Sequence, residues 1–417
     1  MAKTLQNWIT ILKNFISLSG GELFSKAIAF VTTIYLARVI SPEGFGIIGY
    51  ATAFVSYFLL FIDFGFDIIS VKKIANDKSL ITKYVNNIIS FRLLVASIAF
   101  LVFGMVLFFI NEIQIVKFAL LVTGLNLFVQ SFSTEFVFQA TEKIKYLSIK
   151  VVAKNIIILI FVVLFVKSIS DVLLVVGISV LANLIMNIWM FFKYKKIFAK
   201  YKWILDVRFL KMLVLESFPL IISSFMITIY YNLDMVMLGN IKTQTEVGIY
   251  NASYKIFLIG LIPLVAIVRI FLPSLSKIDK KDELKNTILN YGIMLLLTGI
   301  LIAVPIFLLS SEIISFVYGK EYVGSIIPLT ILALNILVIS VNVFLGNPLT
   351  VWGKQKQYSV AITFGAIVNI ILNFIFIPKY SYNGAALATL MSEVVVFVGV
   401  FILFNKNLKV ILKTNNE

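Results

Sequence analysis

The chain has 417 residues, 60% of them apolar, and its 36 Lys and Arg against 20 Asp and Glu give a formal net charge of +16. Soluble domains contain roughly 45–50% apolar residues, so this composition predicts a protein embedded in a bilayer. The chain has no Cys and no His. That excludes disulfides and thiol chemistry, and it removes the commonest metal ligand and proton shuttle.

Apolar runs recur along the whole chain between short polar breaks. A helix of about 20 residues crosses a hydrocarbon core of roughly 30 Å, and these runs lack the strict alternation of a transmembrane β-strand. The first run is full length and has no cleavage site behind it, so we predict no removable signal peptide. The breaks predict an all-α polytopic membrane protein with twelve helices, near 14–37, 46–66, 85–110, 117–140, 146–166, 172–192, 212–238, 247–271, 286–310, 323–346, 357–377 and 383–404.

Basic residues predict the orientation, because loops rich in Lys and Arg are retained on the cytoplasmic side. An even number of helices places both termini on one side, and that side holds most of the cations. We therefore predict that both termini are cytoplasmic. The opposite breaks hold only Arg38, Lys117, Lys167, Lys242, Lys320 and Lys379.

The longest break is basic and lies near the middle of the chain. It predicts an N-terminal six-helix lobe over 1–194, a cytoplasmic linker over 195–211 and a C-terminal six-helix lobe over 212–417. A weak internal sequence repeat supports this division into two halves, because "PEGFGIIGYATAF" aligns with "QTEVGIYNASYKI" about half a chain later. Basic loops commonly lie against anionic headgroups, so we expect contact with membrane lipids and no nucleic-acid partner.

Several stretches resemble one family: "IYLARVISPEGFGIIGYATAF", "IDFGFD", "YNLDMVMLGNIKTQTEVGIYNASYKI" and "FVYGKEYVGSIIPLTILALN". They are similar to the pattern of O-antigen-type polysaccharide-export flippases of the multidrug, oligosaccharidyl-lipid and polysaccharide exporter superfamily. The resemblance implies a MATE-like fold with a cavity between two lobes. It also implies alternating access that moves an undecaprenyl-diphosphate-linked oligosaccharide from the inner to the outer leaflet of a prokaryotic cell membrane. Other polysaccharide assembly proteins are then possible partners.

Cations inside the predicted helices are the candidate substrate-binding residues: Lys26, Arg92, Lys154 and Lys255. A charge at the bilayer centre costs about 2.5–3.5 kcal/mol, so such residues usually face a bundle interior or a wet cavity. There they could meet an anionic headgroup. The alternatives are a structural pair of Glu22 with Lys26, which are four residues apart, and stems that reach to the membrane interface.

Acids inside the helices are the candidate ion-coupling residues for H⁺ or Na⁺. Glu393 lies near the middle of the last helix with no cation close in sequence, which favours a titrating site. Its alternative is an interhelical hydrogen bond made as a neutral acid. Glu22 and Asp234 are the other candidates, and Asp234 lies within one of the stretches that resemble the family.

The breaks on the predicted outer side are short and carry few acids, which argues against an enzyme. No G-x-x-x-x-G-K-[ST] motif occurs, so we expect no ATP hydrolysis and no cofactor other than a coupling ion. The predicted function is therefore transport of a lipid-linked saccharide. A cation-coupled multidrug antiporter of the same superfamily is the alternative.

Overall fold

A computed structural model describes the backbone of residues 2–110, 112–275 and 281–414, and the side chains of 20–110, 112–272 and 286–408. Within these ranges the protein is almost entirely α-helical and contains no β-strand. This confirms the all-α prediction.

The N-terminal half follows the predicted helices with one difference. Its α-helices are α1 (Ala2–Asp63), α2 (Phe66–Asn76), α3 (Ile81–Phe109), α4 (Gln114–Gly124), α5 (Asn126–Ser131), α6 (Glu135–Ala140), α7 (Ile144–Phe165) and α8 (Val172–Ile197). Helix α1 contains the first two predicted helices, which meet at a non-helical Ser41 just before Pro42. The fourth predicted helix, 117–140, is instead interrupted twice and forms α4, α5 and α6.

The C-terminal half contains α9 (Val207–Ile241), α10 (Gln244–Gly260), α11 (Ile262–Leu275), α12 (Lys281–Leu308), α13 (Ser310–Val317), α14 (Ile326–Val351) and α15 (Gln355–Thr414). Helix α15 contains the last two predicted helices, which meet at a non-helical Ser381. In the described chain, 10 helices are long and apolar enough to cross a membrane. The first and last of these spans, 57 and 54 residues long, each have the length for two crossings, which accounts for the twelve predicted helices.

The protein divides into two compact units, unit 1 (Met1–Asn232) and unit 2 (Leu233–Glu417). The division falls inside α9 rather than in the predicted linker, because the first part of α9 packs onto α2 and α3. Glu216 of α9 forms a 3.0 Å ion pair with Lys73 of α2. The Phe209 ring lies 4.9 Å from the Tyr84 ring of α3.

A sharp corner joins α1 to α2. Phe64 and Gly65 have φ values of 50° and 73°, in the left-handed region that favours glycine. A Cβ atom on Gly65 would lie 2.9 Å from Cβ of Leu220 in α9. Gly65 therefore permits both the turn and the close approach of α9.

Candidate functional site

Arg92, a predicted substrate cation, lies fully buried at the α1–α2 corner. Its Nη2 atom is 2.9 Å from Oδ1 of Asp63 and 2.9 Å from Oδ1 of Asp67, on either side of the corner. Its Nε donates to the carbonyl oxygen of Ile62 at 3.0 Å. Nη1 is buried and has no hydrogen-bond partner among the described residues. These contacts favour a structural role, since they join the end of α1 to the start of α2.

A second ion pair joins α7 to α6, and its lysine is buried. Lys150 is only 6% exposed, and its ammonium group contacts the carboxylate of Glu135 and Oδ1 of Asn187, the latter at 2.8 Å. Lys150 lies in the second turn of α7, which begins at Ile144. Burial is tolerated here because Lys150 has both a carboxylate and an amide oxygen as partners.

Lys26 and Lys154 flank one contact between α1 and α7. Asn155 Nδ2 donates to Ser25 Oγ at 2.6 Å and to the Ser25 carbonyl oxygen at 3.0 Å. Lys26 follows Ser25 and is exposed, whereas Lys154 precedes Asn155 and is half-buried. The hydrogen bonds between their neighbours therefore place the two cations at the same level on adjacent helices.

The predicted pair of Glu22 with Lys26 is not among the ion pairs of the described side chains. Glu22 is half-buried and Lys26 is exposed. A spacing of four residues permits such a pair without requiring it, since it stabilises a helix by only about 0.2–0.5 kcal/mol. Neither Lys26 nor Lys154 belongs to one of those ion pairs.

Lys255, the remaining candidate cation, belongs to unit 2. It lies on α10, where Tyr254 and Ile256 on either side of it are buried while Lys255 itself is exposed. The structure thus presents Lys255 on the open face of α10 within unit 2.

Asp234 lies in a buried cage of polar side chains within unit 2. It is 3% exposed, and its carboxylate accepts hydrogen bonds from Tyr250 at 2.6 Å, Asn373 at 2.6 Å and Thr389 at 2.7 Å. Asn373 also donates to Oδ1 of Asn369 at 3.0 Å. These residues come from α9, α10 and both parts of α15, so helices distant in sequence build the cage.

The cage is rich in oxygen atoms that could bind a cation. Oδ1 of Asn373 is buried and has no hydrogen-bond partner among the described residues. The other oxygen atoms of the cage that could bind a cation are the two carboxylate oxygens of Asp234, Oδ1 of Asn369 and the hydroxyl oxygen of Thr389. Hard cations prefer oxygen ligands of these kinds, and a single carboxylate matches a single positive charge.

Glu393, the preferred coupling acid of the sequence analysis, is 7% exposed on α15. Nδ2 of Asn342 on α14 donates to its carboxylate at 2.5 Å and to its carbonyl oxygen at 3.0 Å. Thr389 precedes Glu393 by one helical turn. Glu393 therefore lies one helical turn from the Asp234 cage along α15. Its side chain accepts a hydrogen bond from α14.

The sequence indicated Asp234 but not its partners. A usable signal was present, since Asn369, Asn373 and Thr389 are polar residues inside otherwise apolar runs. Polar groups at membrane depth are costly and mark functional positions. Their spacing along the chain nevertheless carries no information about which of them meet.

Comparison with known proteins fits this architecture. A family described as "Polysaccharide biosynthesis protein" matches residues 11–279. A putative O-antigen transporter of Escherichia coli (strain K12) is 24% identical, over 97% of this chain and 99% of the relative. The fold is similar to that of the lipid II flippase MurJ in an inward closed conformation, with a TM-score of 0.77 and 17% identity over 96% of this chain and 90% of that one.

A multidrug resistance MATE family transporter in an inward-facing conformation matches with a TM-score of 0.73 and 11% identity, over 96% of this chain and 99% of that one. At these identities the two solved structures show the fold alone, and they confirm a polytopic membrane fold of the MATE type. The O-antigen relative is described as a transporter rather than an enzyme. The chain is a multi-pass membrane protein, and it belongs to the polysaccharide biosynthesis protein family.

Proposed function

We propose that this protein moves an undecaprenyl-diphosphate-linked oligosaccharide from the inner to the outer leaflet of the cell membrane by alternating access. The family and the O-antigen relative support a role in surface polysaccharide assembly. Other proteins of that assembly pathway are then candidate partners.

The observation that carries the proposal is the position of Lys26 and Lys154 beside the Ser25–Asn155 contact. A diphosphate presents two adjacent anionic groups, and two lysine residues at one level on neighbouring helices are complementary to it in charge. A buried lysine that already forms an ion pair, as Lys150 does with Glu135, has less binding capacity left for a substrate. Lys26 and Lys154 are therefore the proposed diphosphate-binding residues, and Lys255 is a further candidate in unit 2.

Lys154 also lies within electrostatic range of Lys150 and Glu135. The charges of Lys150 and Glu135 offset each other, so Lys154 remains the surplus positive charge of this region of α7. A surplus cation in a low-dielectric setting attracts an anion more strongly than a cation in water does. This supports an anionic rather than a cationic substrate.

We further propose that transport is coupled to an ion at Asp234. The buried carboxylate, the amide oxygens of Asn369 and Asn373 and the hydroxyl of Thr389 would hold Na⁺, and the bound ion would supply a charge that joins α9 to α15. Glu393, one turn beyond Thr389, is the second candidate and would take up H⁺. Glu22 is the third candidate.

The direct test is transport in liposomes reconstituted with the purified protein. Translocation of an undecaprenyl-diphosphate oligosaccharide is compared with efflux of a cationic dye, under an imposed Na⁺ or pH gradient. The proposal expects saccharide translocation that falls sharply in Lys26→Ala and Lys154→Ala. Dye transport without saccharide translocation would instead identify the multidrug antiporter that is the alternative function.

A further inference from the structure

Residues 200–206, here named the strap, join α8 to α9 without helical structure and are fixed to α3. The backbone N–H of Lys202 donates to Oδ1 of Asn86 at 3.0 Å. The backbone N–H of Asp206 donates to Oδ1 of Asn87 at 2.7 Å. Two backbone N–H groups of the strap are thus bound by adjacent side chains of α3.

Ser90, one turn further along α3, adds a third attachment. Its Oγ accepts a 3.3 Å hydrogen bond from the backbone N–H of Ile204 and lies 2.8 Å from the hydroxyl of Tyr201. Burial raises the pKa of the Tyr201 hydroxyl, so this contact is made by a neutral phenol. All three α3 side chains are buried. Because buried polar groups need partners, the strap is a fixed part of unit 1 rather than a loose linker.

The outward side of the strap is apolar and uncovered. Trp203 is 54% exposed, Ile204 41%, and Val207 at the start of α9 75%. The exposed apolar surface continues along α9 through Met212 and Leu215. Because α9 is one of the predicted membrane spans, this continuity places the strap where α9 leaves the hydrocarbon.

The stretch of chain around the strap is strongly basic. Between residues 193 and 211 the only acid is Asp206, and it is engaged as the cap of α9, where it accepts from the N–H of Phe209 at 3.1 Å. The exposed cations of this stretch are Lys195, Lys196, Lys200, Lys202, Arg208 and Lys211. Aromatic and aliphatic side chains beside uncompensated cations are complementary to an anionic membrane interface.

We propose that the strap is a docking surface for the headgroups of anionic phospholipids, with Trp203 and its apolar neighbours in the interface and the surrounding cations on the lipid phosphates. The fixed backbone holds both sets of side chains in place, so the surface would select anionic over zwitterionic lipid. This inference is independent of the transported substrate and of the coupling ion.

The test uses the full chain in nanodiscs, with Trp8, Trp189 and Trp352 replaced by Phe so that Trp203 is the only tryptophan. Its fluorescence is quenched by acyl-brominated phosphatidylglycerol or, at the same mole fraction, by brominated phosphatidylcholine. We expect at least about twofold stronger quenching by phosphatidylglycerol, because each cation attracts anionic lipid to the strap. Lys200→Gln, Lys202→Gln, Arg208→Gln and Lys211→Gln together should bring the two lipids to equal quenching.

The matched control neutralises four exposed lysines elsewhere, Lys72, Lys78, Lys145 and Lys356, each to Gln. It should keep the preference for phosphatidylglycerol. Equal quenching by the two lipids in the parent protein, or equal loss of the preference in both quadruple variants, overturns the proposal. Release of the quenching by an equimolar amount of a polyprenyl diphosphate also overturns it, because the occupant would then be the transported lipid.

Discussion

Thr389 on α15 donates a 2.7 Å hydrogen bond to Asp234 on α9, although 155 positions separate them in the chain. The contact exists only when these two helices are packed together within unit 2. Occupancy of the Asp234 cage is therefore linked to the packing of α9 on α15, and anything that binds the cage stabilises that packing.

We expect Na⁺ to stabilise the protein through this cage. At a Na⁺ concentration ten times the Kd, binding to the folded state contributes about 1.4 kcal/mol. The melting temperature in detergent should therefore rise in NaCl relative to choline chloride at equal ionic strength. Asp234→Asn should abolish the difference, and Thr389→Val should reduce it. A full Na⁺ response in Asp234→Asn excludes the cage as the site.

Glu393→Gln separates proton coupling from cation coupling. The substitution preserves the shape of the side chain and leaves it an oxygen that can accept from Asn342, but it fixes the neutral state. We expect folded protein with an unchanged melting response to Na⁺ but no stimulation of transport by a pH gradient in proteoliposomes. Glu22→Gln, measured in the same assay, tests the competing candidate. If Glu393→Gln responds to the pH gradient as the wild type does, Glu393 is a structural hydrogen-bond acceptor.

Lys154→Ala should lower saccharide translocation by at least about tenfold, because one charge-assisted contact to phosphate contributes about 1.5–3 kcal/mol. Lys26→Ala should act in the same direction. Lys154→Arg keeps the charge and should retain most of the activity. The control is Lys320→Ala, which removes an exposed cation on the predicted outer side. Equal activity of Lys154→Ala and Lys320→Ala would remove the diphosphate-binding role.

Arg92→Ala should act on stability before transport. It leaves Asp63 and Asp67 facing each other and removes the donor to Ile62. Breaking a buried ion pair lowers the free energy of unfolding by about 3–5 kcal/mol. We expect a loss near the lower end of this range, because both carboxylates are partly exposed. Thermal unfolding in detergent measures the loss, and adding Asp63→Asn and Asp67→Asn should recover part of it. Unchanged stability with abolished transport would instead make Arg92 a substrate cation, as its sequence context suggested.

Reporter fusions test the predicted orientation. Fusions after Lys196 and Lys356 should report the cytoplasm, and fusions at Lys242 and Lys320 the exterior, because cation-rich breaks are retained inside. A reporter of each kind, one active inside and one active outside, provides the control at every position. An exchange between the two groups contradicts the orientation, and with it the assignment of both termini to the cytoplasm.

The sequence predicted the helices well because the length of an apolar run is a local property. The runs around Ser41 and Ser381 were separated correctly, although the chain there turns within a few residues. The interruptions of the fourth helix were missed, because "GLNLFVQSFSTEF" is nearly as apolar as an unbroken span. Helix breaks held by tertiary contacts leave little trace in local composition.

Pairing between side chains was predicted far less well. The spacing of Glu22 and Lys26 suggested an ion pair that is not among the described ones, whereas Arg92 meets carboxylates 25 and 29 residues away. Local spacing identifies which residues share a helix face, but packing between helices decides which charges meet. Arg92 and Lys154 were therefore predicted as equivalents, although of the two only Arg92 belongs to ion pairs of the described side chains.

The Arg92 corner also has a fixed charge balance. An arginine does not lose its proton in a protein, so this corner always carries one positive charge opposite two carboxylates. Asp63 lies at the end of α1 and Asp67 in the first turn of α2, so the two counter-charges belong to different helices. A movement of α2 away from α1 would leave the buried guanidinium with fewer counter-charges, which is costly. The charge balance of the corner therefore resists any change in the angle between the two helices.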